Sequence, residues 1–107
     1  MTDPAPEFHF VPFSEHADRV LAVVADIYGV TVDAIKSPSR LHRHSRARAV
    51  AASLMRTTTD ATWQEIGSAI NRDHSTAIWQ ASKIDKLLPD DPSLESVIAE
   101  ARMRLER

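Results

Sequence analysis

The chain has 107 residues, 43% hydrophobic and 26% charged, and no cysteine, which suits one small globular domain with a single core and excludes disulfides and most zinc sites. No apolar run approaches the roughly 20 residues that span a bilayer, and the acidic, proline-rich start M-T-D-P-A-P is unlike a signal peptide, so a cytoplasmic chain with no membrane partner is expected. The formal net charge of −2 speaks against a nucleic-acid binder only until the charges are placed. Met1 to Asp33 carries one base, Arg19, against six acids; Ala34 to Thr59 carries six bases, Lys36, Arg40, Arg43, Arg46, Arg48 and Arg56, and no acid. A positive block on one segment is the footprint of phosphate contact, or else a solvated face balancing the acidic first helix.

Taken in order, Ser14 is placed to cap a first helix whose apolar positions are Val20, Leu21, Val23, Val24 and Ile27, with Gly29 at its C-terminus. Thr31 caps a short second helix holding Val32, Ala34 and Ile35, which stops near Ser37 because Pro38 disfavours helical backbone in the residue before it. Residues 37–44, S-P-S-R-L-H-R-H, read as a loop. Ala47, Val50, Ala51, Leu54 and Met55 form a third amphipathic stripe, ended by Thr57-Thr58-Thr59-Asp60. Thr62 and Glu65 form a capping box at the start of a short fourth helix. A tight connection at Asn71-Arg72 leads to Asp73, the cap of a fifth helix with apolar positions Ala77, Ile78, Ala81, Ile84, Leu87 and Leu88. Pro89-Asp90-Asp91-Pro92 breaks the chain, and either Asp91 with Pro92 or Ser93 starts a last helix bearing Leu94, Val97, Ile98, Ala101 and Leu105. The expected fold is all-α, a compact bundle of about six helices in which the fourth and fifth form a helix-turn-helix.

The stretch N-R-D-H-S-T, residues 71–76, has two readings. As chemistry, it sets a base beside a nucleophile, but His74 and Ser75 are helix neighbours about 100° apart and do not face each other. Gly29 and Gly67 are the only glycines, so there is no G-x-x-x-x-G-K phosphate loop. His42 and His44 lack a third metal ligand at sensible spacing. No catalytic residue, metal or cofactor is therefore expected, and no small-molecule substrate. As a reading surface, the N-terminus of a helix carries free N–H groups and partial positive charge. There Asp accepts from a cytosine amino group, and Ser and Thr donate or accept. Plain capping by Asp73 with three exposed neighbours fits the residue types as well. Trp63 and Trp79 read as core or edge residues, and Gly67 as a point of close helix approach.

From about Val20 to Leu88 the chain resembles the C-terminal DNA-binding domain of the bacterial replication initiator DnaA. The resemblance rests on G-V-T-V-D-A-I-K-S-P-S-R (Gly29 to Arg40), E-I-G (Glu65 to Gly67), and R-D-H-S-T (Arg72 to Thr76) followed by K-I (Lys83-Ile84). It implies a Trp-repressor-like bundle that binds the A·T-rich boxes of replication origins. In that family the arginine closing the loop motif enters the minor groove, here Arg40, and the D-H-S-T residues read the major groove, here Asp73, His74, Ser75 and Thr76. The chain departs from the family pattern at Pro38, Leu41 and His42 in the loop, and at Gln64, Asn71, Trp79 and Ser82 around the two helices.

On this reading residues 14–107 are a helix-turn-helix DNA-binding domain whose partner is double-stranded DNA. His42, Arg43, Arg46, Arg48, Arg56, Trp63, Gln64, Arg72 and Lys83 are its candidate phosphate contacts. An ATPase domain does not fit in 107 residues, so a box reader without ATPase activity, located at the nucleoid, is expected. The rival is a regulator of replication that works through contacts with the initiator or its regulators. Its motivation is the N-terminal extension, residues 1–13, partly ordered or docking, where Phe8, Phe10 and Phe13 either pack on the domain or dock on a partner. A hydrolase built on His74 and Ser75 is the remaining class.

Overall fold

In the computed structural model, which describes residues 11–106, the chain forms six α-helices and one short 3-10 turn, as an all-α pattern requires. The first helix, α1, covers Phe13–Tyr28 and so begins one residue before the expected Ser14 cap. Pro12 holds the cap position without a side-chain bond, and its carbonyl accepts from the Glu15 and His16 amides; proline's fixed φ supplies the entry geometry that a capping side chain would otherwise select. Val20, Leu21 and Val24 form the buried ridge of α1. Gly29 closes it at φ 67, left-handed backbone that glycine adopts without a Cβ penalty. In α2, Val32–Lys36, the Thr31 hydroxyl accepts from the Ala34 amide at 3.0 Å.

The central helix is α3, His42–Thr58, in which every residue from Ala47 to Met55 is buried. Its small side chains let α1, α2, α4, α5 and α6 all pack around it. The expected loop over 37–44 is therefore shorter: His42, Arg43 and His44 belong to the first turn of α3. Leu41 stands at the cap position and makes no side-chain bond there, so no capping residue marks this start. At the other end the Thr57, Thr58 and Thr59 hydroxyls donate back to the carbonyls of Ser53, Leu54 and Met55. That back-bonding lets two of the three threonines stay helical before the chain leaves.

The capping box at α4, Trp63–Ala69, is complete: the Thr62 amide donates to Glu65 Oε1 at 2.9 Å and the Glu65 amide to the Thr62 hydroxyl at 3.1 Å. The turn after it places Asn71 at φ 60, where a short polar side chain is the best substitute for glycine. The Arg72 amide donates to the Gly67 carbonyl at 2.8 Å, tying the turn to α4 ahead of α5, His74–Leu87. Gly67 thus admits the turn's backbone rather than a second helix. On α5 the buried ridge is Ala77, Gln80, Ala81 and Ile84, whereas Ile78, expected in that stripe, is 39% exposed. After the 3-10 turn Leu88–Asp90, α6 spans Pro92–Leu105. Asp91 caps it by accepting from the Leu94 amide at 3.0 Å, the first of the two expected starts. It returns along α1, where Arg104 pairs with Asp26 at 2.6 Å. Phe13 packs against the core; Phe8 and Phe10 lie outside the described residues.

Candidate nucleic-acid interface

The Asp73 carboxylate caps α5, accepting from the Thr76 amide at 2.8 Å. That hydrogen bond holds the Asp73 carboxyl below its ordinary pKa, so the charged form is the one the fold favours. A group whose pKa is depressed on folding contributes stability above its unfolded pKa and loses it as pH falls through the folded value. Asp73→Ala is therefore expected to melt below the wild type at pH 7, with the difference closing as the pH drops below the carboxylate range. A deficit that persists unchanged at pH 2 to 3 would show that the carboxylate is not what caps the helix. His74 and Ser75 are exposed and Thr76 is half-buried, which leaves a polar turn on the surface at the positive end of α5.

The basic loop faces this turn. Arg40 is exposed, and with Pro38 and Ser39 it forms one wall of a groove of about 790 Å³ whose other walls include Asn71 and Arg72 from the turn and Thr76 and Trp79 from α5. Arg40 and Thr76, the last of the D-H-S-T residues and thirty-odd residues away in the chain, thus line a single cleft. On its floor Gln80 is buried with its Oε1 unpaired.

What holds the loop in place is a guanidinium, and this corrects an expectation. Arg48, expected to contact phosphate, is only 3% exposed. Its Nε donates to the Ile35 carbonyl at 2.6 Å, and one terminal nitrogen donates to the carbonyls of Ser37 at 3.0 Å and Ser39 at 3.1 Å. Burial, and then the charge of nearby Arg72, hold its pKa below the usual arginine value. Arg72 does similar work from the turn, donating to the Ser37 carbonyl at 2.7 Å and the Asn71 carbonyl at 2.9 Å. Both are braces: Arg48 holds the loop against α3, and Arg72 holds it against the turn of the helix-turn-helix. The His44 ring adds a further tie, Nδ1 to the Ser39 hydroxyl at 2.8 Å.

The remaining candidate phosphate contacts are spread around the domain. Arg46 pairs with Asp91 at 3.6 Å, and with His42 and Arg43 it borders a separate cleft against Tyr28 and α6. Arg56 lies over the Trp63 ring, 5.2 Å from its centroid, close to Ser82 and Asp85 on the C-terminal half of α5. Gln64 is exposed at the start of α4. Lys83 lies over the Trp79 ring at 5.3 Å. Trp79 itself is 61% exposed, not the core or edge residue that its type suggested. Its place outside the ridge Ala77, Ala81, Ile84 was the available signal.

Among the described residues no helix is long and apolar enough to cross a membrane, and no cluster of three metal-ligating side chains occurs. The sequence profile described as "Bacterial dnaA protein helix-turn-helix" matches residues 17–84. The chain is 38% identical over 89 residues to the chromosomal replication initiator protein DnaA of Pelobacter propionicus, covering 82% of this chain and 20% of that protein. It is 38% identical over 87 residues to the same-named protein of Deinococcus radiodurans, covering 81% and 19%. With that of Streptococcus pyogenes it shares 33% over 102 residues, covering 94% and 22%. The chain thus spans about a fifth of the length of these relatives.

Proposed function

The chain belongs to the bacterial DnaA helix-turn-helix family, and on that premise we propose that it reads double-stranded DNA at the A·T-rich boxes of replication origins and modulates initiation there. The observation that carries this reading is the shared groove. Arg40 on the loop and Thr76 on the first turn of α5 line one cleft, which suits a single strand of the duplex backbone lying between a minor-groove arginine and a helix in the major groove. Asp73, His74, Ser75 and Thr76 then face base edges, with Asp73 offering only the carboxylate oxygen that the cap leaves free. Lys83, Trp63 and Gln64 supply backbone contacts from α5 and α4. Because Arg48 and Arg72 are committed to the loop, affinity rests on fewer phosphate contacts than the number of bases suggests. These 107 residues hold no glycine-rich phosphate loop, Gly29 and Gly67 being the only glycines; accordingly this chain neither hydrolyses ATP nor melts a duplex by itself. Its effect on initiation is occupancy of boxes, exerted at the nucleoid.

The test is a titration of a duplex carrying an origin box against a scrambled duplex at two salt concentrations. Wild type is expected to prefer the box. Arg40→Ala should weaken box binding by roughly 1–3 kcal/mol with little change in melting temperature, since the exposed loop arginine carries no core. His74→Ala should flatten the preference while leaving scrambled binding nearly intact. Lys83→Ala should weaken both duplexes and reduce the salt slope by about 0.9 for the phosphate it no longer neutralises. Equal affinity of wild type for both duplexes would remove the sequence-specific reading, and an Arg40→Ala complex as tight as wild type would remove the minor-groove role.

A further inference from the structure

Trp79 is what the capped first turn and the buried ridge of α5 leave over. A tryptophan that is 61% exposed is unusual on a helix whose inner face was available to it, since large aromatic side chains are mostly buried. Its direction is set by the helix: four residues after Ser75, it stands only about 40° further round the axis, so the indole continues the outward ridge that the reading turn begins. It also lines the groove together with Arg40 and Thr76. Lys83, one turn further on, holds its ammonium 5.3 Å from the ring centroid, close enough for a cation–π contact that steadies the ring. The result is a flat apolar plate in a cleft whose other exposed groups are Arg40, Asn71 and the small Pro38 ring.

An indole face carries no acceptor and has one donor at its edge. Among the base edges of the major groove, only thymine presents an apolar group, its C5-methyl. We propose that Trp79 is a specificity-determining residue, its ring covering a thymine methyl in the major groove one turn beyond the Asp73–Thr76 contacts, with Lys83 behind it meeting a phosphate of the same strand. This rests on the groove being a duplex-binding surface. It adds a contact whose strength depends on a methyl group and hardly on salt, in a site where two of the expected arginines are occupied internally.

The methyl can be removed from the DNA without touching the protein. Duplexes are selected from a randomised pool by the full chain, and the winning sequence is made once with thymidine and once with deoxyuridine throughout. Wild type is expected to bind the uracil duplex about fourfold more weakly per covered methyl, the ratio that burying one such group gives. Trp79→Ala should bind the thymine duplex about tenfold more weakly than wild type and treat the two duplexes alike. Trp79→Phe, which keeps an aromatic face, should retain most of the discrimination. All three should melt at similar temperatures, because the exposed ring carries no core. A selected duplex that wild type binds equally in both forms, or a Trp79→Ala variant that still discriminates like wild type, overturns the inference and leaves the DNA-binding reading standing. Failure of the chain to enrich any duplex overturns both.

Discussion

An Arg48→Met variant is expected to be about 2–4 kcal/mol less stable than wild type, the largest loss of any single basic residue in the chain. The methylene stem of arginine is matched closely by methionine, so the packing beside Ile35 loses little volume. What disappears is the donor set. The carbonyls of Ile35, Ser37 and Ser39 all accept from this one guanidinium, and each buried acceptor left unpaired costs about 1–3 kcal/mol. The sum is smaller than three such terms because the Ser37 carbonyl keeps its bond from Arg72 and the half-buried Ser39 can be reached by water. For a domain of this size the midpoint should fall by about 4–8 °C for each kcal/mol, measurable by calorimetry or circular dichroism.

The same variant separates brace from phosphate contact. Measured well below its melting point, Arg48→Met should bind a box duplex more weakly, because Arg40 is no longer presented at a fixed distance from α5, yet with the salt slope of wild type. A phosphate contact would behave in the opposite way, lowering the slope by about 0.9 and leaving the midpoint alone. That second pattern would show that the guanidinium leaves the carbonyls to meet DNA.

Arg48 also shows where residue types stop being informative. Six bases in an acid-free run are the same string whether they face solvent or the inside. Position 48 sits between Ala47 and Ala49 on the helix that every other helix packs against, and only that packing turns it inward. The caps at Thr31, Thr62 and Asp73, and Asp91 as one of two candidates, were legible because capping is a contact between residues two or three apart, performed by a few short polar residue types. The start of α3 was not, since Leu41 makes no side-chain bond there. Ile78 left its expected face for a related reason: it lies at the edge of the buried ridge, and Gln80, at the other edge, is the residue buried instead. The shared groove of Arg40 and Thr76 was reachable only through family resemblance, because nothing local links a loop to a helix more than thirty residues away.

Gly67→Ala is expected to damage both fold and reading, and the reason is distance. A Cβ built on Gly67 would stand 2.5 Å from the Arg72 carbonyl oxygen and 3.0 Å from that of Asp73. Both are backbone atoms, so no rotamer change can relieve the contact; the turn itself must lift away from α4. Lifting it strains the Arg72 amide bond to the Gly67 carbonyl, now 2.8 Å, and moves Asp73, whose carboxylate starts α5. Overpacking of this kind costs typically 1–3 kcal/mol, which urea denaturation would record as a lower midpoint at unchanged slope. Because the displaced segment is the one that carries His74, Ser75 and Thr76, the box preference should shrink along with the stability. Gly29→Ala is the matched control. Its Cβ would meet nothing within 4 Å, and its only penalty is the left-handed backbone at φ 67, about 1 kcal/mol, with no part of the groove disturbed. It should therefore lose stability while keeping the ratio of box to scrambled binding. If Gly67→Ala kept that ratio too, the separation of α4 and α5 would not be what aims the recognition helix.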